Sequence, residues 1–142
     1  MDVSPFTKAE IEYLTAQRIG RLATVAPDGV PQNNPVGLFY NDTLGTIDIH
    51  GLNLGATRKF RNVLTNSHVA LVVDDVVSVE PWAVRGIEIR GVAEALKGAE
   101  RRSRSMSRQV IRIHPRRIIS WNVDPAHSGM EGRDVTESPR VA

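Results

Sequence analysis

The chain has 142 residues, of which 41% are apolar and 24% are charged, and its formal net charge is +2. This length is typical of one domain that buries a substantial core. So small a net charge does not favour a nucleic-acid partner, and no apolar run approaches the about 18 residues that a membrane span needs. The absence of cysteine excludes disulfides, thiolate metal sites and a cysteine nucleophile. With no basic and apolar leader at the N-terminus, we expect a cytoplasmic location.

The predicted elements begin with a short helix and a β-hairpin. The segment from Thr7 to Glu10 (TKAE) has the form of a capping box, and the residues after it predict an amphipathic helix that ends near Gln17. Residues 19–25 are rich in β-branched and apolar side chains, which predicts a strand. Residues 27–29 (PDG) are a turn signal, and a second strand is predicted from Val30 to about Tyr40.

Later segments predict further strands and two polar stretches. These strands are predicted at residues 46–50, 68–73, 85–96 and 110–123. The one at 68–73 is a nearly continuous apolar run, which indicates burial on both faces. Gly91 predicts a bulge and Pro115 predicts an interruption. The arginine-rich residues 97–109 predict a solvated connecting helix, and residues 124–142 lack periodicity and predict a flexible tail.

This order of elements predicts a mainly β fold. Six or so antiparallel strands, joined mostly by hairpin-type links and accompanied by a few short helices, favour a closed or nearly closed barrel. A parallel βαβ architecture does not fit, because no crossover helices separate the first three strands. We therefore predict a barrel domain over residues 1–123 and a tail over residues 124–142.

The basic segment 55–63 (GATRKFRNV) is the strongest functional signal in the chain. Its three cations, Arg58, Lys59 and Arg61, cannot all be buried, since unpaired buried charge is too costly. The glycine that opens the segment and Thr57 predict a loop that enters a helix, whose first turn offers free N–H groups to an anion. The segment therefore predicts a phosphate or carboxylate site, with a solvated helix start as the alternative.

The other chemically active side chains form no catalytic or metal-binding pattern. The four histidines do not have the spacing of metal ligands: His50, His68, His114 and His127. Asp74 and Asp75 are adjacent on a predicted strand, so their side chains point to opposite faces and do not form a carboxylate pair. We predict neither a metal site nor a catalytic side chain.

Five motifs, in this order, carry a resemblance to a known family. They are IGRLATV at 19–25, DGVPQ at 28–32, KFRNV at 59–63, VALVV at 69–73 and IEIRGVAE at 87–94. Together they resemble the flavin-binding split β-barrels of the pyridoxamine 5'-phosphate oxidase-like fold, and within these the branch that uses the deazaflavin coenzyme F420. The resemblance extends from about Thr7 to Trp121. It implies a homodimer with a cofactor site at each end of the subunit interface.

The resemblance also implies which residues bind the cofactor. The strand that matches Gln32, Pro35, Val36 and Gly37 lies along the tricyclic ring in such proteins. The stretch that holds the ribityl chain and phosphate matches these residues: His50, Gly51, Thr57, Arg58, Lys59, Arg61 and Asn62. Trp82 matches an aromatic residue that often comes from the second subunit, with core or dimer packing as the alternative. Arg85 is a further candidate for the anionic tail, with a surface salt bridge as the alternative.

By this resemblance the protein is an oxidoreductase that transfers a hydride from reduced F420 to a small electron-poor organic substrate. FMN is the alternative cofactor, and a non-catalytic protein that binds a flavin, F420 or a tetrapyrrole is the alternative function. F420 carries a phosphodiester and several carboxylates where FMN has one phosphate, so the additional cations favour F420. Vitamin B6 oxidation is not expected, because the C-terminus lacks a convincing arginine–histidine set for the substrate phosphate.

Overall fold

The computed structural model describes residues 4–98 and 103–136 of the chain. Within these residues the elements are α1 Lys8–Ala16, β1 Ile19–Val25, β2 Pro31–Asn41, β3 Thr46–Ile49, α2 Arg58–Thr65, β4 His68–Ser78, β5 Ala83–Leu96, β6 Val110–Trp121 and β7 Met130–Asp134. One turn of 3-10 helix at Leu54–Ala56 precedes α2. The predicted mainly β fold with a few short helices is confirmed.

The strands form one antiparallel sheet that closes on itself. Their order is β3-β2-β1-β4-β5-β6-β7, and β3 also pairs with β6. The first six strands therefore make a closed antiparallel barrel, while β7 adds to the free edge of β6. The inward side chains are almost entirely aliphatic, and the following are fully buried: Leu22, Ile47, Ile49, Leu71, Val73, Ile87, Ile89, Ile111, Ile113 and Ile118.

A seventh strand replaces part of the predicted flexible tail. Residues 124–142 were expected to lack structure, but Met130–Asp134 pairs with β6 from Arg117 to Trp121. The side chains of this edge strand are mostly exposed, and the strand is held by its backbone pairing with β6. Its sequence, MEGRD, therefore lacks the apolar alternation by which a strand is predicted. The expectation of a flexible segment is wrong for this strand, while residues 137–142 lie outside the described residues.

An ion pair fastens β7 across α1. The predicted capping box is present, with the Thr7 N–H donating to Glu10 Oε1 at 2.8 Å and the Glu10 N–H donating to Thr7 Oγ1 at 3.2 Å. Arg133 of β7 donates to Glu10 Oε2 at 2.9 Å. Burial alone raises the pKa of the Glu10 carboxyl, but hydrogen bonds from Arg133 and Thr7 outweigh it and hold the pKa below its ordinary value. The paired carboxylate therefore links both ends of the described chain.

Two predicted strands differ from expectation in detail. In β4 the inward and outward residues alternate, so Ala70 and Val72 are only half-buried, and the strand is not buried on both faces. Pro115 does not interrupt β6, because it lies opposite Gly91, where Arg116 is the extra residue of a bulge. The predicted bulge at Gly91 is confirmed, and it is also what accommodates a proline inside the sheet.

The predicted helix over residues 97–109 is not formed in the part that the structure describes. Residues 103–109 make turns and bends that lead into β6, and residues 99–102 lie outside the described residues. A segment with few apolar residues cannot bury a helix face, so its backbone groups are satisfied by local turns and neighbouring loops instead.

Candidate functional site

The first half of β2 has an open edge. Residues 31–37 pair with β1 on one side, whereas β3 pairs only with residues 38–41. Among the described strands, none pairs with residues 31–37 on their second side. Unpaired backbone groups on this stretch are therefore available to a ligand or to another chain.

The four ring-lining candidates of this strand differ in what they can offer. Pro35 and Gly37 are exposed, and Gln32 is half-buried at the start of the strand. Val36 is only 6% exposed and belongs to the hydrophobic core. Its side chain therefore cannot line a ring, so any contact that it makes with a ligand comes from its backbone.

Thr57 shapes the start of α2. It is the N-cap residue, and its hydroxyl accepts from the Phe60 N–H at 3.4 Å and donates to the Leu54 carbonyl at 2.6 Å. The predicted loop-to-helix transition is confirmed at this position. The Arg61 N–H donates to the Thr57 carbonyl at 3.3 Å, which leaves the N–H groups of Arg58 and Lys59 without a partner inside the helix.

The cations of the basic segment lie at this helix start without neutralising partners. Arg58 and Arg61 are exposed and Lys59 is half-buried. The Arg61 side chain donates to the Ala56 carbonyl at 3.0 Å, while no hydrogen bond or ion pair joins the side chains of Arg58 or Lys59 to another described residue. The first turn of α2 holds no acidic residue. The result is a local excess of positive charge next to the helix N-terminus.

A cleft of about 620 Å³ lies between the β1–β2 turn and α2. Its walls are formed by Ala26, Pro27, Asp28, Val30, Gln32, Arg58, Arg61, Asn62 and Thr65. The cleft therefore contains two of the predicted cations, the two predicted site residues Gln32 and Asn62, and one carboxylate, that of Asp28. With two cations against one carboxylate, the set suits an anionic, hydrogen-bonding group.

Asn62 joins α2 to the hairpin. Its side chain is 2% exposed, and its Nδ2 donates to Thr24 Oγ1 at 3.0 Å and to Gln32 Oε1 at 2.8 Å. No sequence pattern predicts this arrangement, because the partners are 38 and 30 residues away from Asn62. The contact holds one wall of the cleft to the other.

The loop between β3 and α2 is braced by Ser107 from the arginine-rich segment. Its N–H donates to the Gly51 carbonyl at 2.9 Å, and its hydroxyl accepts from the Leu54 N–H at 3.2 Å. His50, at the start of this loop, packs edge-on against Phe39 with ring centroids 5.2 Å apart. Sequence reasoning missed Ser107, since a serine in a polar stretch carries no pattern.

Arg85 is not brought to the cations of α2 within one subunit. It forms a two-point ion pair with Asp75, at 2.9 and 3.1 Å, and its guanidinium lies 5.0 Å from the centre of the Tyr13 ring. The pairing of β1 with β4 places Asp75 beyond the start of β1, whereas the cleft lies beyond its end. Within one subunit, Arg85 therefore forms the salt bridge that was the alternative to binding the anionic tail.

Trp82 lies in the turn between β4 and β5 and is 66% exposed. It is therefore not a core residue of this subunit, whereas packing in a dimer stays an alternative to contact with the cofactor. A large aromatic side chain this exposed is suited to contact with a second molecule.

Metal chemistry and a membrane span find no support in the described part of the chain. No three or more histidine, aspartate or glutamate side chains there are grouped closely enough to hold a metal ion. Neither of the two described α-helices is long and apolar enough to cross a membrane.

A comparison with protein families decides the affiliation of this barrel. The family model described as pyridoxamine 5'-phosphate oxidase matches residues 6–138, nearly the whole chain. The chain belongs to the pyridoxamine 5'-phosphate oxidase family. The predicted membership of this split β-barrel family is thereby confirmed, while the F420-dependent branch stays a prediction.

Relatives within the pyridoxamine 5'-phosphate oxidase fold include a named reductase. The 5a,11a-dehydrotetracycline/5a,11a-dehydrooxytetracycline reductase of Streptomyces rimosus subsp. rimosus is 48% identical over 135 residues, which are 93% of this chain and 94% of that protein. With such identity over almost the full length of both chains, the protein is an oxidoreductase of this family.

Solved structures confirm the fold. An F420 reductase has a TM-score of 0.58 and 24% identity, over 75% of this chain and 93% of that one. An FAD-binding protein from Mesorhizobium loti has a TM-score of 0.57 and 19% identity, over 92% of this chain and 96% of that one. At these identities the likeness concerns the fold alone.

Proposed function

We propose that the protein is an F420-dependent reductase that delivers a hydride to a conjugated double bond of a tetracycline-like polycyclic substrate. The observation that carries this proposal is the 48% identity, over nearly the full length, to a dehydrotetracycline reductase. Reduction of a conjugated double bond agrees with the transfer of a hydride to an electron-poor acceptor that the sequence predicted. The tetracycline-like skeleton makes the proposed substrate more specific than that prediction.

The cleft fits the anionic end of a flavin-type cofactor. Arg58 and Arg61 line it, and the side chains of Arg58 and of the neighbouring Lys59 have no hydrogen bond or ion pair to another described residue. Bound there, reduced F420 would supply the hydride. The protein would bind the tail with its cations, hold the ring along the open edge of β2 and keep the two reactants oriented.

F420 is favoured over FMN by the number of cations. A single phosphate can occupy only part of the set formed by Arg58, Lys59 and Arg61, whereas a phosphodiester followed by several carboxylates can meet all three. FMN remains the alternative cofactor of the same site. No side chain is assigned as a proton donor, since water can protonate the product.

The test of function is a hydride-transfer assay with the purified protein. With reduced F420 and 5a,11a-dehydrooxytetracycline, we expect cofactor oxidation that depends on both enzyme and substrate, with one reduced substrate formed for each cofactor oxidised. Pyridoxine 5'-phosphate is tested separately with oxidised F420 and with oxidised FMN, because its oxidation would reduce the cofactor, and it should not be turned over. Turnover with reduced FMN alone would transfer the proposal to the FMN-dependent alternative.

We also propose that the active form is a homodimer. The outer face of β1, β4 and β5 carries an apolar groove of about 410 Å³, whose walls include Ala23, Val25, Ala70 and Val92. Exposed apolar side chains extend this surface along the β4–β5 hairpin, and they include Val76, Val77, Val79 and Trp82. A second copy would cover both features and would bring its Trp82 to the open site.

Sedimentation should show a particle with the mass of two chains at micromolar concentration. Ala70→Arg places a cation in a groove that Arg90 and Arg116 already line, with Arg90 directly opposite on β5, and it should shift the protein towards monomer, because like charges would be buried together. Leu44→Arg is the matched control, since Leu44 lies in the β2–β3 turn and is already 50% exposed. A wild-type monomer, or equal effects of both variants, would contradict the proposed interface.

A further inference from the structure

Three side chains form a relay of hydrogen bonds at the wall of the cleft. Thr24 and Asn62 are 1% and 2% exposed, and both Asn62 and Gln32 line the cleft. Asn62 Nδ2 has two hydrogens, and it donates one to Thr24 Oγ1 and the other to Gln32 Oε1. The donor capacity of Asn62 is therefore used inside the protein, which leaves no N–H on this side chain for a ligand.

The same bonds fix the orientation of the Gln32 amide. Its oxygen is held by Asn62 at 2.8 Å, so its Nε2, on the other side of the amide carbon, is turned away from Asn62. The hydrogen bonds of the described residues leave Nε2 without a protein acceptor. Gln32 shares the cleft with two exposed cations, Arg58 and Arg61, and with one carboxylate, Asp28, whose Oδ1 accepts from the Val30 N–H. An N–H donor in such surroundings favours an oxygen atom of an anion.

We propose that Asn62 is a positioning residue, which fixes Gln32 so that its N–H group meets an oxygen of the bound cofactor, and that Asn62 itself does not bind the cofactor. This inference rests on the proposed function, since it concerns the same cleft. It replaces the direct contact of Asn62 that the resemblance implied. In this arrangement Gln32, which lies on the hairpin and is held by Asn62 of α2, is the residue that contacts the ligand.

Affinity measurements on a double-mutant cycle test the relay. The variants are Gln32→Leu, Asn62→Leu and the double variant, each titrated with F420 and with FMN by calorimetry. We expect Gln32→Leu to lower F420 affinity by roughly 10-fold and Asn62→Leu by a similar factor. The double variant should be no weaker than Gln32→Leu alone, because Asn62 acts only through Gln32.

Thr24 supplies a variant that keeps the core filled at a residue outside the cleft. Because Thr24 also lines the apolar groove of the proposed dimer interface, the mass of each Thr24 variant is checked by sedimentation and should equal that of the wild type. Thr24→Val removes the hydroxyl that holds Asn62 and should weaken binding by roughly 3-fold, while Thr24→Ser keeps the hydroxyl and should restore wild-type affinity. In the Gln32→Leu background, Thr24→Val should have no effect on affinity. The NMR signals of the Gln32 side-chain amide provide a second readout. They should shift when F420 is added to the wild-type protein, and they should shift less when F420 is added to Asn62→Leu.

The outcomes separate this inference from the proposed function. Strong binding to the wild-type protein with losses that add in the double variant would overturn the relay and leave the function in place. Loss of affinity in Thr24→Ser equal to that in Thr24→Val would also overturn it. No binding of F420 or FMN to the wild-type protein would overturn the proposed function and the relay together.

Discussion

Arg58→Ala and Lys59→Ala should each lower F420 affinity by roughly 10-fold or more, because hydrogen bonds between charged groups are typically worth about 1.5–3 kcal/mol. Neither side chain has a hydrogen bond or ion pair to another described residue, so neither is needed to hold the fold. The free energy of unfolding should therefore stay within about 0.5 kcal/mol of wild type. Calorimetric titration and chemical denaturation measure the two effects separately.

Lys8→Ala is the matched control for this pair. Lys8 is the exposed first residue of α1, so its removal takes the same charge from the same helical position on a helix that does not line the cleft. We expect it to leave cofactor affinity unchanged. Normal binding by both Arg58→Ala and Lys59→Ala would show that the start of α2 is only a solvated helix end.

Gly91→Ala should destabilise the protein more than any surface substitution. A Cβ at this position would lie 2.3 Å from the backbone oxygen of His114, which cannot move aside as a side chain can. Gly91 does not have a positive φ, so glycine is not required there for its backbone conformation. It is required because the bulge opposite Pro115 leaves no space for a side chain. We expect a loss of about 3 kcal/mol or more in the free energy of unfolding.

Gly98→Ala provides the comparison for this substitution. An added Cβ there meets no heavy atom within 4 Å, and its φ is also not positive. Thermal unfolding should give a wild-type midpoint for Gly98→Ala and a midpoint roughly 10 °C lower for Gly91→Ala. Equal midpoints would mean that the backbone at the bulge can shift at little cost.

Local patterns predicted most of the barrel. β1 has the predicted bounds, the capping box of α1 is formed, and Gly91 marks the bulge that the sequence indicated. These features depend on the spacing of neighbouring residues, which a sequence displays directly. β7 was not predicted, because it does not depend on the spacing of its own residues. Its polar residues are held by backbone pairing with β6 and by the ion pair of Arg133 with Glu10, which are contacts with distant parts of the chain.

The sequence predicted which charged residues belong to the candidate site, but it did not predict all of the contacts that arrange them. The cations of α2 lie where the basic segment placed them, at a capped helix start. The burial of Val36, the ion pair of Arg85 with Asp75 and the brace from Ser107 to Gly51 depend on contacts between distant parts of the chain. A single sequence shows which residues carry charge, but it does not show which partner each one meets after folding.

The most direct test of the account is a pair of binding titrations with F420 and FMN at low and at high salt. F420 should bind more tightly at 0.1 M salt, because its tail meets more of the cations at the start of α2. The preference should shrink at 1 M salt, as the Debye length falls from about 10 Å to about 3 Å. Tighter binding of FMN under both conditions, or a protein that purifies yellow with FMN bound, would contradict the F420 assignment.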